Sequence, residues 1–144
     1  MSVVNLKIKK LYEDAKLPTR ADSGSAGMDL YAHLDNDYMR VIKPHTTEMI
    51  SVGFAMETPN NTYGAIFARS GLASKKGLRP ANCVGVVDST YRGEVFVALH
   101  NDMVVRCRFS FKSKIHFLPS LIADQCSTAN LMTAFRINVS IGGQ

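Results

Sequence analysis

"NCVGVVDSTYRGEVFV" (82–97) sets two valine-rich runs on either side of the polar segment "DSTYRG". Apolar β-branched residues flanking a polar turn read as a β-hairpin, with limbs at 82–87 and 93–97. The stretch also raises a question about charge. Asp88 directly follows Val86 and Val87, and a lone carboxylate buried among apolar residues needs a partner, a metal or a task. Asn82 carries both a donor and an acceptor, the equipment for reading the polar edge of a base. Tyr91 offers a flat face on which a sugar can pack. The same letters also suit a plain hairpin with a turn-capping Asp88 and a core tyrosine.

The flanking sequence supports strands throughout. "VVNLKIKKLY" (3–12) alternates, with Val4, Leu6 and Ile8 on one face and Asn5, Lys7 and Lys9 on the other. "HTTEMISVGFAMETP" (45–59) is apolar and β-branched, and it stops at Pro59 before the turn signal "PNNTYG". "TYGAIFA" (62–68) and "GEVFVALHN" (93–101) are further strand-like runs. Gly and Pro recur at short intervals, and no segment sustains a helical period. The expectation is an all-β domain, a compact barrel or sandwich of short strands. "FSFKSKIHFLPS" (109–120) reads as one more strand ending before Pro119, and "LIADQCSTANLMTAF" (121–135) as a weak helix.

At 144 residues the chain has the length of one domain. No apolar run approaches the ~20 residues of a membrane helix, and the N-terminus lacks a signal-peptide apolar region. Three cysteines without paired spacing argue against a disulfide framework or a zinc site, so a cytoplasmic location is expected. The net charge of +5 is unevenly spread. Residues 1–102 hold 12 Lys and Arg against 11 Asp and Glu, whereas residues 103–144 hold five against Asp124 alone. Cys107 and Cys126 also fall in that last segment, which has no glutamate. It lacks a dense basic run, so neither nucleic acid nor membrane is expected as a partner.

Two more motifs precede the hairpin. "SAGMDLYAH" (25–33) places Gly27 beside Asp29 at the head of a strand, which also suits a simple turn with a capping aspartate. "ARSGLASKKGL" (68–78) follows a strand and reads as entry into a single helical turn. Unpaired N–H groups at Ser70 and Gly71, beside the forked guanidinium of Arg69, suit a phosphate. Gly71 lets an anion approach without a Cβ in the way. An ordinary N-cap by Ser70 is the competing account.

Together these stretches resemble the trimeric dUTPase family, over about residues 6–101. "AGMDL" (26–30) is similar to its first motif, "RSGLASKKG" (69–77) to its second, and "NCVGVVDSTYRGE" (82–94) to its third, with Val87 where isoleucine is usual. The resemblance implies a jelly-roll-like homotrimer that hydrolyses dUTP to dUMP and pyrophosphate with Mg²⁺ on the triphosphate. It makes Asp88 the base that deprotonates water attacking the α-phosphorus, and Arg69, Ser70 and Gly71 the phosphate cradle. Asn82, Gly85, Val86 and Val87 would read uracil, largely through the main chain. Tyr91 would pack under the deoxyribose, and Phe96 would stand where the opposing limb meets the base. Asp29 would hold Mg²⁺ through water. Asp88 is thereby expected to meet a triphosphate held at Ser70.

The resemblance stops near Asp102. The family's fourth motif, with its phosphate-reaching glutamine, should follow Asn101, but the chain reads "VRCRFSFKSKIHFLPS" (105–120). The fifth motif, a Gly-rich arm closing over the nucleotide, has no match in "AFRINVSIGGQ" (134–144). The expected organisation is therefore a dUTPase-like β domain at 1–102 and a divergent tail at 103–144, with weak activity for want of the closing arm. A related dCTP deaminase of the same fold and a non-catalytic nucleotide-binding module are the alternatives. Motif loss, charge imbalance and altered cysteine use begin together, as a single frameshift would produce. A reading frame that runs unbroken through codon 102 would exclude that origin in favour of divergence or tail replacement.

Overall fold

The computed structural model describes residues 3–34, 39–110, 114–121 and 136–141, with side chains at 5–34 and 39–108. Eleven strands and one short helix fall within these ranges. Strand β1 (Val3–Lys10) lies between β11 (Arg136–Ile141) and β4 (Thr47–Glu57), and the same sheet continues through β8 (Glu94–Asn101) to β6 (Leu78–Pro80). A second sheet runs in the order β2 (Met28–Tyr31), β10 (Lys114–Leu121), β5 (Thr62–Phe67), β7 (Val84–Asp88). Strands β3 (Met39–Ile42) and β9 (Cys107–Ser110) form a separate pair. The fold is all-β, and among the described residues no helix is long and apolar enough to cross a membrane.

The alternation read in the first strand is kept: Leu6 and Ile8 are buried, and Asn5, Lys7 and Lys9 face water. β4 breaks its alternation, because Val52 to Met56 are all buried. The cause is a bulge against β8, where the register shifts between Ser51 and Ala55. Gly53 supplies the required left-handed φ of 76°, and a Cβ there would come within 2.7 Å of Ala15 Cβ and 2.9 Å of His33 Cβ. Only glycine fits that backbone and that space. Phe54, Ile50, Val52, Leu6 and Ile8 from one sheet meet Leu30, Ile66 and Val87 from the other, and Ile42 of β3 and Cys107 of β9 join the same cluster. The three sheets therefore share one core.

The segment 109–120 holds more than the single strand expected. β9 ends at Ser110, and β10 runs through Pro119, which pairs with Gly64. The ladder with β2 stops at Phe117, so among the described residues no strand pairs with that side of β10 at the proline, and a missing N–H is tolerated at such a position. The helix expected at 121–135 lies, beyond Leu121, outside the described residues. Strands β9, β10 and β11 all come from beyond residue 102, and they pair with β3, with β2 and β5, and with β1.

Asn101 fastens the junction where that segment begins. Its side chain is fully buried; its Nδ2 donates to the carbonyls of Ile42 (3.1 Å) and Val105 (2.8 Å), and its Oδ1 accepts from Met103 N (3.0 Å). Replacing it strands several buried polar groups at once. Asn101→Leu is expected to lower unfolding free energy by about 2–4 kcal/mol, read as a lower urea midpoint; an unchanged midpoint would contradict this role.

A second tie lies near the bulge. His33, stacked on Tyr12 with ring centroids 4.1 Å apart, brings Nε2 to 3.1 Å from Asp14 Oδ1. That hydrogen bond holds the Asp14 carboxyl below its ordinary value of 3.8. A depressed carboxylate pKa contributes stability above the unfolded value, and the contribution is lost as pH falls through the folded one. Melting temperatures of the parent and of Asp14→Asn should therefore differ near pH ~6 and converge below pH ~3. A gap that persists or widens in acid would refute the coupling.

Candidate functional site

Strands β7 and β8 are consecutive, but they do not form the expected hairpin ladder. β7 pairs with β5 at the edge of one sheet, and β8 pairs with β4 and β6 in the other. Val87 turns into the shared core from one layer and Val95 and Val97 from the other, so the two strands cover it on opposite sides. This corrects the hairpin read from the sequence. Among the described residues it also leaves β7 without a ladder on the side away from β5. β6 reaches β8 only at Leu99–Asn101, and Ala81 N donates to Ala98 O. Among the described residues the stretch Glu94–Val97 is thus laddered only on its β4 side.

Side chains around this gap are unusually exposed for their type. Val84, Val86 and Asp88 share the outward face of β7, and Val86 is 59% exposed. Phe96 and Tyr91 are each 44% exposed. A cluster of exposed apolar residues around free main chain is the composition of a ligand slot or an interface. Asp88 itself is exposed, so it bears none of the burial penalty that its valine neighbours suggested. Among the described residues no hydrogen bond or ion pair engages its carboxylate, and its carbonyl accepts from Tyr91 N at 3.0 Å.

The turn between the strands is tightly built. Tyr91 Oη donates to the Glu94 carbonyl at 2.8 Å, and a Cβ on Gly93 would meet that ring within 2.9 Å. Tyr91 is therefore an exposed ring seated on a glycine, not the core residue of the plain-hairpin account. On the entry side, Cys83 takes a left-handed φ of 62°, and Val84 N reaches back to Asn82 O at 2.6 Å. A non-glycine residue in this region stores strain of the kind found at functional turns. Gly85 lies over Ile66, where a Cβ would approach to 3.3 Å, with the Asn82 amide nitrogen next at 3.6 Å. The sequence reading did not single out Cys83, since a positive φ has no signature in a cysteine.

Arg69, Ser70 and Gly71 stand at the start of helix α1 (Ser70–Lys76), directly after β5. The cap residue is Arg69, with no side-chain cap bond, and its carbonyl accepts from Leu72 and Ala73 N at 2.9 Å each. Ser70 is thus the first helical residue and not the N-cap. A Cβ on Gly71 would meet nothing within 4 Å, so packing does not require glycine there. Asp29, on β2, is buried and lies 3.6 Å from Arg69 Nε. The pair ties the first two motifs together.

The third motif's acid is at the other end. Phe67 faces Val84 and Tyr63 faces Asp88 across the β5–β7 ladder. Four residues at ~3.3 Å each separate those rows by roughly 13 Å. Asp88 and Ser70 are therefore not brought together within one chain. Among the described residues no group of three or more His, Cys, Asp or Glu is placed to hold a metal. Asp29 offers one carboxylate beside the second motif, paired to Arg69.

Comparison with known proteins matches residues 13–133 to the dUTPase family. A deoxyuridine 5′-triphosphate nucleotidohydrolase of Desulfitobacterium hafniense is 48% identical over 104 residues, covering 70% of this chain and 68% of its own. A protein of that name from Clostridium tetani is 44% identical over 101 residues, covering 70% and 67%. Among solved structures, the dUTPase of phage phi11 of S. aureus superposes with a TM-score of 0.73 at 19% identity, over 90% of this chain and 99% of that one. A mutant dUTPase of Staphylococcus bacteriophage 80alpha with dUpNHpp gives 0.72 at 19% identity, over 89% and 90%.

Proposed function

We propose, for a chain that belongs to the dUTPase family, the hydrolysis of dUTP to dUMP and pyrophosphate at the gap between β7 and β8. The observation that carries this reading is an exposed, unpaired Asp88 beside the unladdered edge of β7 and the glycine-seated Tyr91. Along Gly85–Val87 the main-chain groups that alternate away from the β5 ladder suit a flat polar base, whose edge they meet much as a pairing base would. Val87 contributes main chain alone, because its side chain is in the core. Asn82 adds a side-chain amide, and Phe96 borders the slot from β8. The Tyr91 ring packs under the deoxyribose and leaves no space for a 2′-hydroxyl.

Asp88 orients a water and takes its proton as the oxygen attacks the α-phosphorus. The new O–P bond forms as the bond from the α-phosphorus to the bridging oxygen breaks, and pyrophosphate leaves. Arg69 and the backbone of Ser70 and Gly71 receive the charge on that leaving group. Asp29 is the carboxylate that would hold one water of a Mg²⁺ carried on the triphosphate, where the ion would neutralise part of the phosphate charge. Since Asp88 and Ser70 are separated along the β5–β7 ladder, the cradle facing one chain's Asp88 comes from a second copy. A homotrimer meets that need. Cys83 and Cys107 are free thiols, in keeping with a reducing cytoplasm.

Turnover is expected to be low. The family's phosphate-reaching glutamine and closing arm have no counterpart in 103–144, and β11 lies in a parallel ladder with β1. A site that does not close admits water and holds the triphosphate loosely. These features also favour a second reading, a dUTPase-like module that binds without hydrolysing. Pyrophosphate release from dUTP with Mg²⁺, assayed beside sedimentation of the same sample, tests both. Weak release by an oligomer is expected, falling a further 10²–10⁴-fold in Asp88→Asn with binding kept. Binding without any release favours the module, and release unaffected by Asp88→Asn would overturn the assigned base.

A further inference from the structure

We infer that Glu94 is a positioning residue for sugar selection: its carboxylate is clamped to the β4 bulge, and its own carbonyl holds the hydroxyl of Tyr91. The inference rests on the reading of Tyr91 as the surface that packs under the deoxyribose. Tyr91 is nearly half exposed, and the one hydrogen bond from its hydroxyl ends on Glu94 O at 2.8 Å. An exposed ring on a five-residue turn keeps a fixed place only if that acceptor is itself fixed.

Glu94 is fixed through its side chain. Ser51 Oγ donates to Glu94 Oε1, and the same Oγ accepts from Gly53 N at 2.9 Å. The serine hydroxyl is therefore held on both sides, with its proton directed at the carboxylate. Tyr12 Oη stands 3.5 Å from Glu94 Oε2, and its ring stacks on the buried His33. The bulge makes this reach possible. Ser51 faces Phe96 in the β4–β8 ladder, and the register shift that follows brings Ala55, not the expected neighbour, opposite Glu94. A chain of contacts thus runs from Gly53 through Ser51 to Glu94, and from Glu94 O to Tyr91. None of these groups except Tyr91 lies at the nucleotide slot.

The experiment compares binding of dUDP and UDP by calorimetry without added Mg²⁺, so that no turnover intervenes. The parent chain is expected to prefer dUDP. Glu94→Ala should narrow the dUDP/UDP affinity ratio about tenfold, the worth of one well-placed hydrogen bond. Glu94→Gln, which keeps an oxygen for the serine proton, should retain the parental ratio. Ser51→Ala should reproduce the narrowing, and it decides the matter if Glu94→Ala does not fold. In a Tyr91→Phe background, Glu94→Ala should change the ratio no further, because the link it acts through is gone. A parental ratio in folded Glu94→Ala and Ser51→Ala, or full additivity with Tyr91→Phe, overturns the inference while leaving the sugar reading intact. An equal narrowing in Glu94→Gln also overturns it, since charge and not the clamp would then be responsible. A parent chain without preference for dUDP overturns the sugar reading and the inference with it.

Discussion

Two strands joined by a five-residue turn ordinarily satisfy each other's main chain. Here β7 and β8 are assigned to opposite layers, and the gap between them follows from that division. Val87 must enter the core from one sheet and Val95 and Val97 from the other. Burial of these three valines, each worth about 1.5–2 kcal/mol relative to exposure, holds each strand on its own layer. Main-chain groups left free in this way remain at the surface, where water satisfies them until a ligand does. The polar slot is therefore a by-product of how the core is covered.

Tyr91 shows how the same division shapes the slot's edge. A turn bridging two layers has no ladder to stiffen it, so its rigidity comes from local contacts: the ring on Gly93, the hydroxyl on Glu94 O, and Arg92 Nη1 on the Tyr91 carbonyl at 2.9 Å. The bulge in β4 supplies the anchor on the other side. Gly53 there serves the backbone and the packing at once, since both its positive φ and its contact with Ala15 and His33 exclude a side chain. Bulges beside functional segments commonly re-aim a neighbouring residue, and here the redirected residue is Ser51.

Much of the strand content was legible in the chain because alternation survives wherever one face is buried. Residues 3–10, 47–57, 62–67 and 94–101 are strands as their patterns required. Short strands were not legible: β3 exposes three of its four residues and β6 is three residues long with a terminal proline. The bulge was hidden too, because a glycine in an apolar run looks like any other. The letters of the three motifs did not reveal that Asp29 and Arg69 pair, or that Asp88 lies a ladder's length away. Pairing across sheets depends on register, and register is a property of the assembled layers. The expected laddered hairpin failed for the same reason: adjacency in sequence predicts pairing only when both strands belong to one sheet.

The tail beyond Asp102 separates what a backbone can supply from what side chains must. β10 lies within the second sheet, and β11 completes an edge of the first. A ladder is built from N–H and C=O groups that every residue but proline carries, so a strand position tolerates wide changes in the letters that fill it. Pro119 stands where, among the described residues, β10 pairs with β5 alone. Contact with a phosphate across an interface, or closure over a nucleotide, has no such tolerance, because it needs a particular group at a particular place. Asn101 makes the contrast concrete: its amide fixes the entry into the tail by bonding to the carbonyl of Val105 and the N–H of Met103. Those partners are main-chain atoms, available whatever residues follow. Side-chain change after this point is therefore borne by ladders that β9, β10 and β11 build from backbone.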